Sequence, residues 1–137
     1  SIPSFTWDIT RGVMDAEALT GVEAILHLAG AGIADSRWTD ARKREILESR
    51  TQSTALLVKA LRETPNRVRT FISSSAIGYY GGDTGDRLMT ENSPAGTDFL
   101  AQVTRAWERS VDDIAALKTP DGVPIRTVRM RTGVVLT

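Results

Sequence analysis

Ser73, Ser74 and Ser75 close an apolar run that begins at Phe71-Ile72, and Tyr79 and Tyr80 follow just before Gly81. A serine and a tyrosine presented together at a strand's end suit proton transfer on a sugar-like hydroxyl or a ketone. The serine holds the oxygen while the phenol, if its pKa is lowered, moves the proton. The candidate catalytic residues are therefore Ser75, Tyr79 and Tyr80. The same stretch also reads as an ordinary buried strand whose serines bond backbone in a turn. Upstream, the apolar run Ala24-Ile25-Leu26-His27-Leu28 leads into Ala29-Gly30-Ala31-Gly32. Small residues at a strand's C-terminal end let a flat ligand lie against the backbone, and open α/β sheets bind ligands at that edge. Gly30, with Ser73 and Ser74 of the second strand, joins the candidates for holding a cofactor.

Helical and strand patterns alternate along the chain, which argues for a parallel sheet with helices on its faces. Thr39 is a good N-cap, and Ile46, Leu47, Leu57, Val58 and Leu61 recur at helical spacing, so residues 40–62 are expected to form a long amphipathic helix ended by Pro65. Phe99, Leu100, Val103, Trp107, Val111, Ile114 and Leu117 repeat at three and four and predict a second helix, closed by the Pro120-Asp121-Gly122 turn. A last strand lies within 125–136. Residues 82–87 read as a flexible loop over the ligand edge, a common place for a lid. Arg50 falls on the buried side of the first helix, where a guanidinium must be paired or bound to an anion. A salt bridge to Glu45 or Glu48 and a ligand contact are both open. His27 sits in an apolar run and reads as a core histidine; Trp38 and Trp107 read as packing, and Arg37 as a solvated loop charge.

At 41% apolar and 25% charged, the 137 residues are ordinary globular usage and suffice for one core. Lysine plus arginine equals aspartate plus glutamate at 17 each, so overall charge draws the chain to neither nucleic acid nor an acidic membrane. With no cysteine and one histidine, disulfides, a thiolate nucleophile and a metal site are not expected. No apolar run approaches the ~20 residues that span a bilayer. A cytoplasmic location and a small-molecule partner are expected.

The finer pattern is more specific. Ala-Gly followed by Ile33, then Arg37-Trp38-Thr39, Ser49-Arg50, Tyr79-Tyr80-Gly81, Ser93-Pro94-Ala95-Gly96, Asp98-Phe99-Leu100, Trp107-Glu108 and Arg131-Thr132-Gly133-Val134-Val135-Leu136 resemble the extended short-chain dehydrogenase/reductase and sugar-nucleotide epimerase group, in its atypical branch. The resemblance implies an α/β fold, a Rossmann-like doubly wound parallel sheet in three layers, with residues 1–137 the central part of a single NAD(P)-binding domain. The family's Gly-rich turn after its first strand is not in this sequence, so the domain is expected to be incomplete without an N-terminal βαβ unit. By the same resemblance Leu28, Ala29, Glu45, Arg50 and Val135 are cofactor contacts, the cofactor is NADP or NAD, and the substrate is small or sugar-nucleotide-like. Pairing through the helices flanking the Ser strand would give a homodimer, although the charged faces suit a monomer too. The implied activity is an NAD(P)-dependent oxidoreductase or epimerase. One departure stands against it: the helix Phe99-Leu100-Ala101-Gln102-Val103-Thr104-Arg105-Ala106-Trp107-Glu108 lacks the family's Tyr-x-x-x-Lys pair. A non-catalytic NADP-binding regulatory or interaction protein is the second reading.

Overall fold

The structure is a computed structural model and describes residues 1–136. A short antiparallel ribbon, β1 (Trp7–Asp8) with β2 (Val13–Met14), opens the chain. Three parallel strands follow in sequential order: β3 (Ala24–His27), β4 (Thr70–Ala76) and β5 (Arg126–Thr132). Helix α1 (Asp40–Glu63) crosses from β3 to β4. A 3₁₀ turn at Ile77–Tyr80, then α2 (Phe99–Ser110) and α3 (Asp112–Ala115), cross from β4 to β5. This is the parallel α/β arrangement that alternating periods dictate.

Both crossovers lie on one face of the sheet. Phe71, Ser73 and Ser75 alternate onto that face and are buried, whereas Ile72, Ser74 and Ala76 point the other way. Phe71, fully buried, packs with Leu57, Val58 and Leu61 of α1 and with Val111 and Ile114 beyond α2. On the opposite face the registers align Leu26, Ile72 and Val128 across the strands. There Leu26 is 56% exposed, so the described residues supply the sheet and one helical layer.

Helix α1 starts where the sequence says, with Thr39 Oγ1 accepting from the Arg42 N–H at 3.2 Å, and ends two residues before Pro65. The second helix departs from expectation. The three-and-four repeat predicts one helix through Leu117, but it breaks at Val111, whose N–H bonds Glu108 O by an i to i+3 step. Arg129 Nε, reaching in from β5, donates to that same carbonyl at 3.1 Å. A carbonyl shared with a strand arginine no longer serves the regular i+4 ladder.

Residues 82–87, read as a lid, belong to a segment tied at several points. The Asp98 carboxylate caps α2 through the Ala101 N–H and accepts from the Gly82 N–H at 2.7 Å. Gly96 N–H reaches Tyr79 O at 2.9 Å.

Candidate functional site

The C-terminal ends of the three strands frame a cleft of about 410 Å³. Leu28, Ala29 and Gly30 leave β3 along one wall, and Ser74 and Ser75 of β4 and Val135 beyond β5 form another. Arg50 of α1 and Trp107 of α2 close it from the helical side. Seven sequence candidates are thus brought together. Four are not: Ser73, Glu45, Tyr79 and Tyr80. Ser73 points to the helices, is 1% exposed, and spends its hydroxyl on Ser74 O at 2.8 Å. Glu45 lies on the surface, paired with Arg42 at 2.7 Å. The two tyrosines stand in the 3₁₀ turn behind β5 and do not line the cleft.

Arg50 is the charged group of the cleft. Its Nη1 donates to Ile46 O at 2.8 Å and Ala31 O at 3.1 Å, and its guanidinium lies 4.9 Å from the Trp107 ring centroid. Among the described residues it forms no ion pair, so neither Glu45 nor Glu48 answers it. Burial lowers its pKa, as desolvation without a counter-charge must. A half-buried guanidinium held only by carbonyl dipoles, beside a strand end without side-chain bulk at Gly30, suits a flat ligand carrying anionic oxygens.

The backbone of Arg50 is held from below. Ser53 Oγ donates to Arg50 O at 3.0 Å and Thr54 Oγ1 does the same. Ser53 has then used its proton, so its 3.0 Å bond to His27 makes the imidazole Nε2 the donor. His27 Nδ1 is left as a buried acceptor without a partner. Burial pulls the His27 pKa down to about 4, so the ring is neutral near pH 7. It is a core histidine, edge-to-face with Trp7 and tilted against Phe71.

A second cluster surrounds Arg131 and brings Ser75, Tyr79 and Tyr80 together with charged groups, Glu108, Arg129 and Arg131, whose pairing was not read from sequence. Arg131 Nε and Nη2 grip the two oxygens of Glu108 at 2.7 and 2.9 Å, and Ser75 Oγ donates to the same carboxylate at 2.7 Å. Burial would raise the Glu108 pKa, but hydrogen bonds from Arg131 and Ser75 and the charges of Arg131 and Arg129 hold it below the usual range. Arg131 Nη1 donates to Tyr80 Oη at 3.0 Å and to Glu91 O at 3.2 Å. Tyr80 Oη in turn donates to Thr90 O at 2.9 Å, and the Arg131 guanidinium covers the Tyr79 ring at 3.5 Å. Arg129 pairs with Asp112. The signal was in the sequence: Arg129 and Arg131 are two apart on a strand, and Glu108 and Asp112 four apart on helical register, so each pair shares one face.

Among the described residues no three His, Asp or Glu side chains converge as metal ligands, and no helix is long and apolar enough to cross a membrane.

Residues 5–103 match the NAD dependent epimerase/dehydratase family. An epimerase family protein of Mycobacterium bovis is 41% identical over 130 residues, which are 95% of this chain and 40% of that relative. The chain therefore spans about 40% of the length of such relatives. Among solved structures, the nucleoside-diphosphate sugar epimerase of Corynebacterium glutamicum superposes with a TM-score of 0.71 at 36% identity, over 96% of this chain and 26% of that one. The human epimerase family protein SDR39U1 (isoform 2), solved with NADPH, gives 0.69 at 28% identity, over 88% and 41%. With its parallel α/β sheet and this match across most of its residues, the chain belongs to the NAD dependent epimerase/dehydratase family.

Proposed function

We propose that residues 1–137 are the central part of a single NAD(P)-binding Rossmann domain, in a cytoplasmic oxidoreductase or epimerase acting on a small or sugar-nucleotide-like substrate. The observation that carries this is Arg50, a half-buried guanidinium without a carboxylate, in a cleft at the sheet's C-terminal edge. Leu28, Ala29 and Gly30 would lie along the ring system of the dinucleotide, Arg50 would take a phosphate or ribose oxygen, and Val135 would close the far wall. The human relative with NADPH favours NADP, with NAD as the alternative. When bound, the nicotinamide supplies or accepts a hydride. Ser74, Ser75 and Thr132 bring hydroxyls to that edge, and of these Ser75 would orient the substrate oxygen; Tyr79 and Tyr80 are the nearest phenols, reached only beyond Arg131.

A specific observation favours the second reading, a non-catalytic NADP-binding regulatory or interaction protein. The Ser75 proton goes to Glu108 and the Tyr80 proton to Thr90 O, and α2 offers no Tyr-x-x-x-Lys pair in their place. Both readings require the cofactor. Titration of the full-length parent protein with NADPH and NADH, followed by ligand fluorescence, should show saturable binding that Arg50→Ala weakens by at least about tenfold. Failure of both nucleotides to bind would remove both readings. Turnover of ketone or sugar-nucleotide substrates that Ser75→Ala abolishes would select the enzyme; tight binding without turnover would select the sensor.

A further inference from the structure

The cleft contains a hydroxyl whose direction is fixed by charge. Ser75 lines the cleft yet is only 4% exposed, and its Oγ lies 2.7 Å from Glu108 Oε1. Two hydrogen bonds from Arg131 hold that carboxylate, and Arg129 binds the carbonyl of the same residue. A carboxylate so placed is ionised, and an ionised carboxylate only accepts. The proton in the Ser75–Glu108 bond therefore belongs to Ser75. A serine hydroxyl has one proton and two lone pairs; with the proton directed at α2, lone pairs are what remain for a ligand.

We infer that Ser75 meets its ligand as a hydrogen-bond acceptor, with Glu108 and Arg131 as positioning residues that fix this polarity, so the group read at Ser75 is a donor and, of the two oxygens expected at this position, a hydroxyl. A ketone oxygen, which also only accepts, finds no donor there. Of the hydroxyl and ketone that a serine at this position was expected to hold, the ion pair selects the hydroxyl. The inference rests on the cleft being the dinucleotide and substrate site, and the hydroxyl has two sources: a ribose of the cofactor or an alcohol of the substrate. The direction of the Ser75 proton, by contrast, is a property of this chain alone.

The test has two arms. Neutron diffraction from deuterated crystals of the full chain should locate one deuteron between Ser75 Oγ and Glu108, bonded to the serine, with none on the carboxylate. A Ser75 deuteron directed into the cleft, or a deuteron on Glu108, overturns the inference whatever the cleft binds. In the second arm, wild type and Ser75→Ala are titrated with NADPH, and with UDP-glucose in the presence of NADP. A ribose source predicts NADPH affinity falling about three- to tenfold in the variant. A substrate source predicts unchanged NADPH affinity and the same loss for UDP-glucose. Loss of neither overturns the ligand half of the inference. Wild type that binds no NADPH overturns the cofactor reading instead, and the deuteron still decides the polarity.

Discussion

Two arginines stand at the same edge of the sheet, each over an aromatic ring, and they do opposite things. Arg131 lies over Tyr79 and is cancelled within the fold, both oxygens of Glu108 facing its fork. Arg50 lies over Trp107 and is answered by two backbone carbonyls only. The hydrogen bond with Glu108 raises the Arg131 pKa, whereas burial lowers that of Arg50. The difference teaches what a buried guanidinium is for. One paired inside the protein is a strut between strand, helix and loop; one left to carbonyl dipoles keeps its charge for a ligand.

The largest effect should come from breaking the strut. Glu108→Ala strands Arg131, whose side chain is 18% exposed, and also frees the Ser75 hydroxyl. Removing one partner of a buried pair costs about 4 kcal/mol, read as a lower urea midpoint. Arg50→Ala should cost within about 1 kcal/mol, because Ile46 O keeps its partners within α1 and only the bond to Ala31 O is lost outright. Equal losses at the two positions would erase the distinction between strut and ligand group.

Acid separates the two sides next. His27, which supports Arg50 through Ser53, is neutral when folded, with a pKa of about 4 against 6.5 when unfolded. The unfolded chain therefore binds a proton that the folded one refuses. Stability from this group is complete above pH 6.5 and is lost as pH falls toward 4, on the order of 3 kcal/mol. Glu108, its pKa held below the usual range, contributes stability above the unfolded value and loses it only at lower pH, as pH falls through the folded value. His27→Leu should flatten the urea midpoint between pH 6.5 and 4 relative to wild type. An unchanged slope would show that His27 titrates normally in the fold.

The binding side gives the third contrast: Arg50→Ala should lower NADPH affinity by at least about tenfold while changing the urea midpoint little. A loss of affinity that merely tracks a loss of stability would make Arg50 a second strut.

The parts of the fold that were legible in the sequence are those set by period and caps. Thr39 and Pro65 bracket α1 to within a residue, and the small residues after His27 with the serines after Ile72 mark the edge where the cleft opens. What escaped depended on cross-chain partners. Nothing local in residues 99–117 says that Arg129 will claim Glu108 O and break the helix at Val111. Ser73 and Ser75 share a strand face, so alternation alone turns both toward the helices and Ser74 toward the open side; three serines in a row read as one cluster until that pleat is imposed. Glu45 and Arg50 differ for a similar reason: five residues apart on a helix, they point about 140° apart around its axis, and Arg42 sits where it can meet Glu45.

The smallest perturbation probes the two arginines with a single methyl. A Cβ on Gly30 would meet Arg50 Cζ at 3.1 Å and Nη1 at 3.2 Å. Those atoms end a flexible side chain, so the guanidinium can move by a few tenths of an ångström, weakening its bond to Ala31 O without disturbing backbone. Gly96, beside Tyr80 on the Arg131 side, is different: its Cβ would lie 2.6 Å from the Gly81 backbone, which has nowhere to go. Gly30→Ala should therefore leave the urea midpoint within about 0.5 kcal/mol of wild type. It should lower NADPH affinity about two- to threefold, because the group that must meet the anion is displaced while the scaffold is not. Unaltered affinity would mean that the ligand never approaches the end of β3, and the free charge of Arg50 would then have to be answered from the helical side of the cleft.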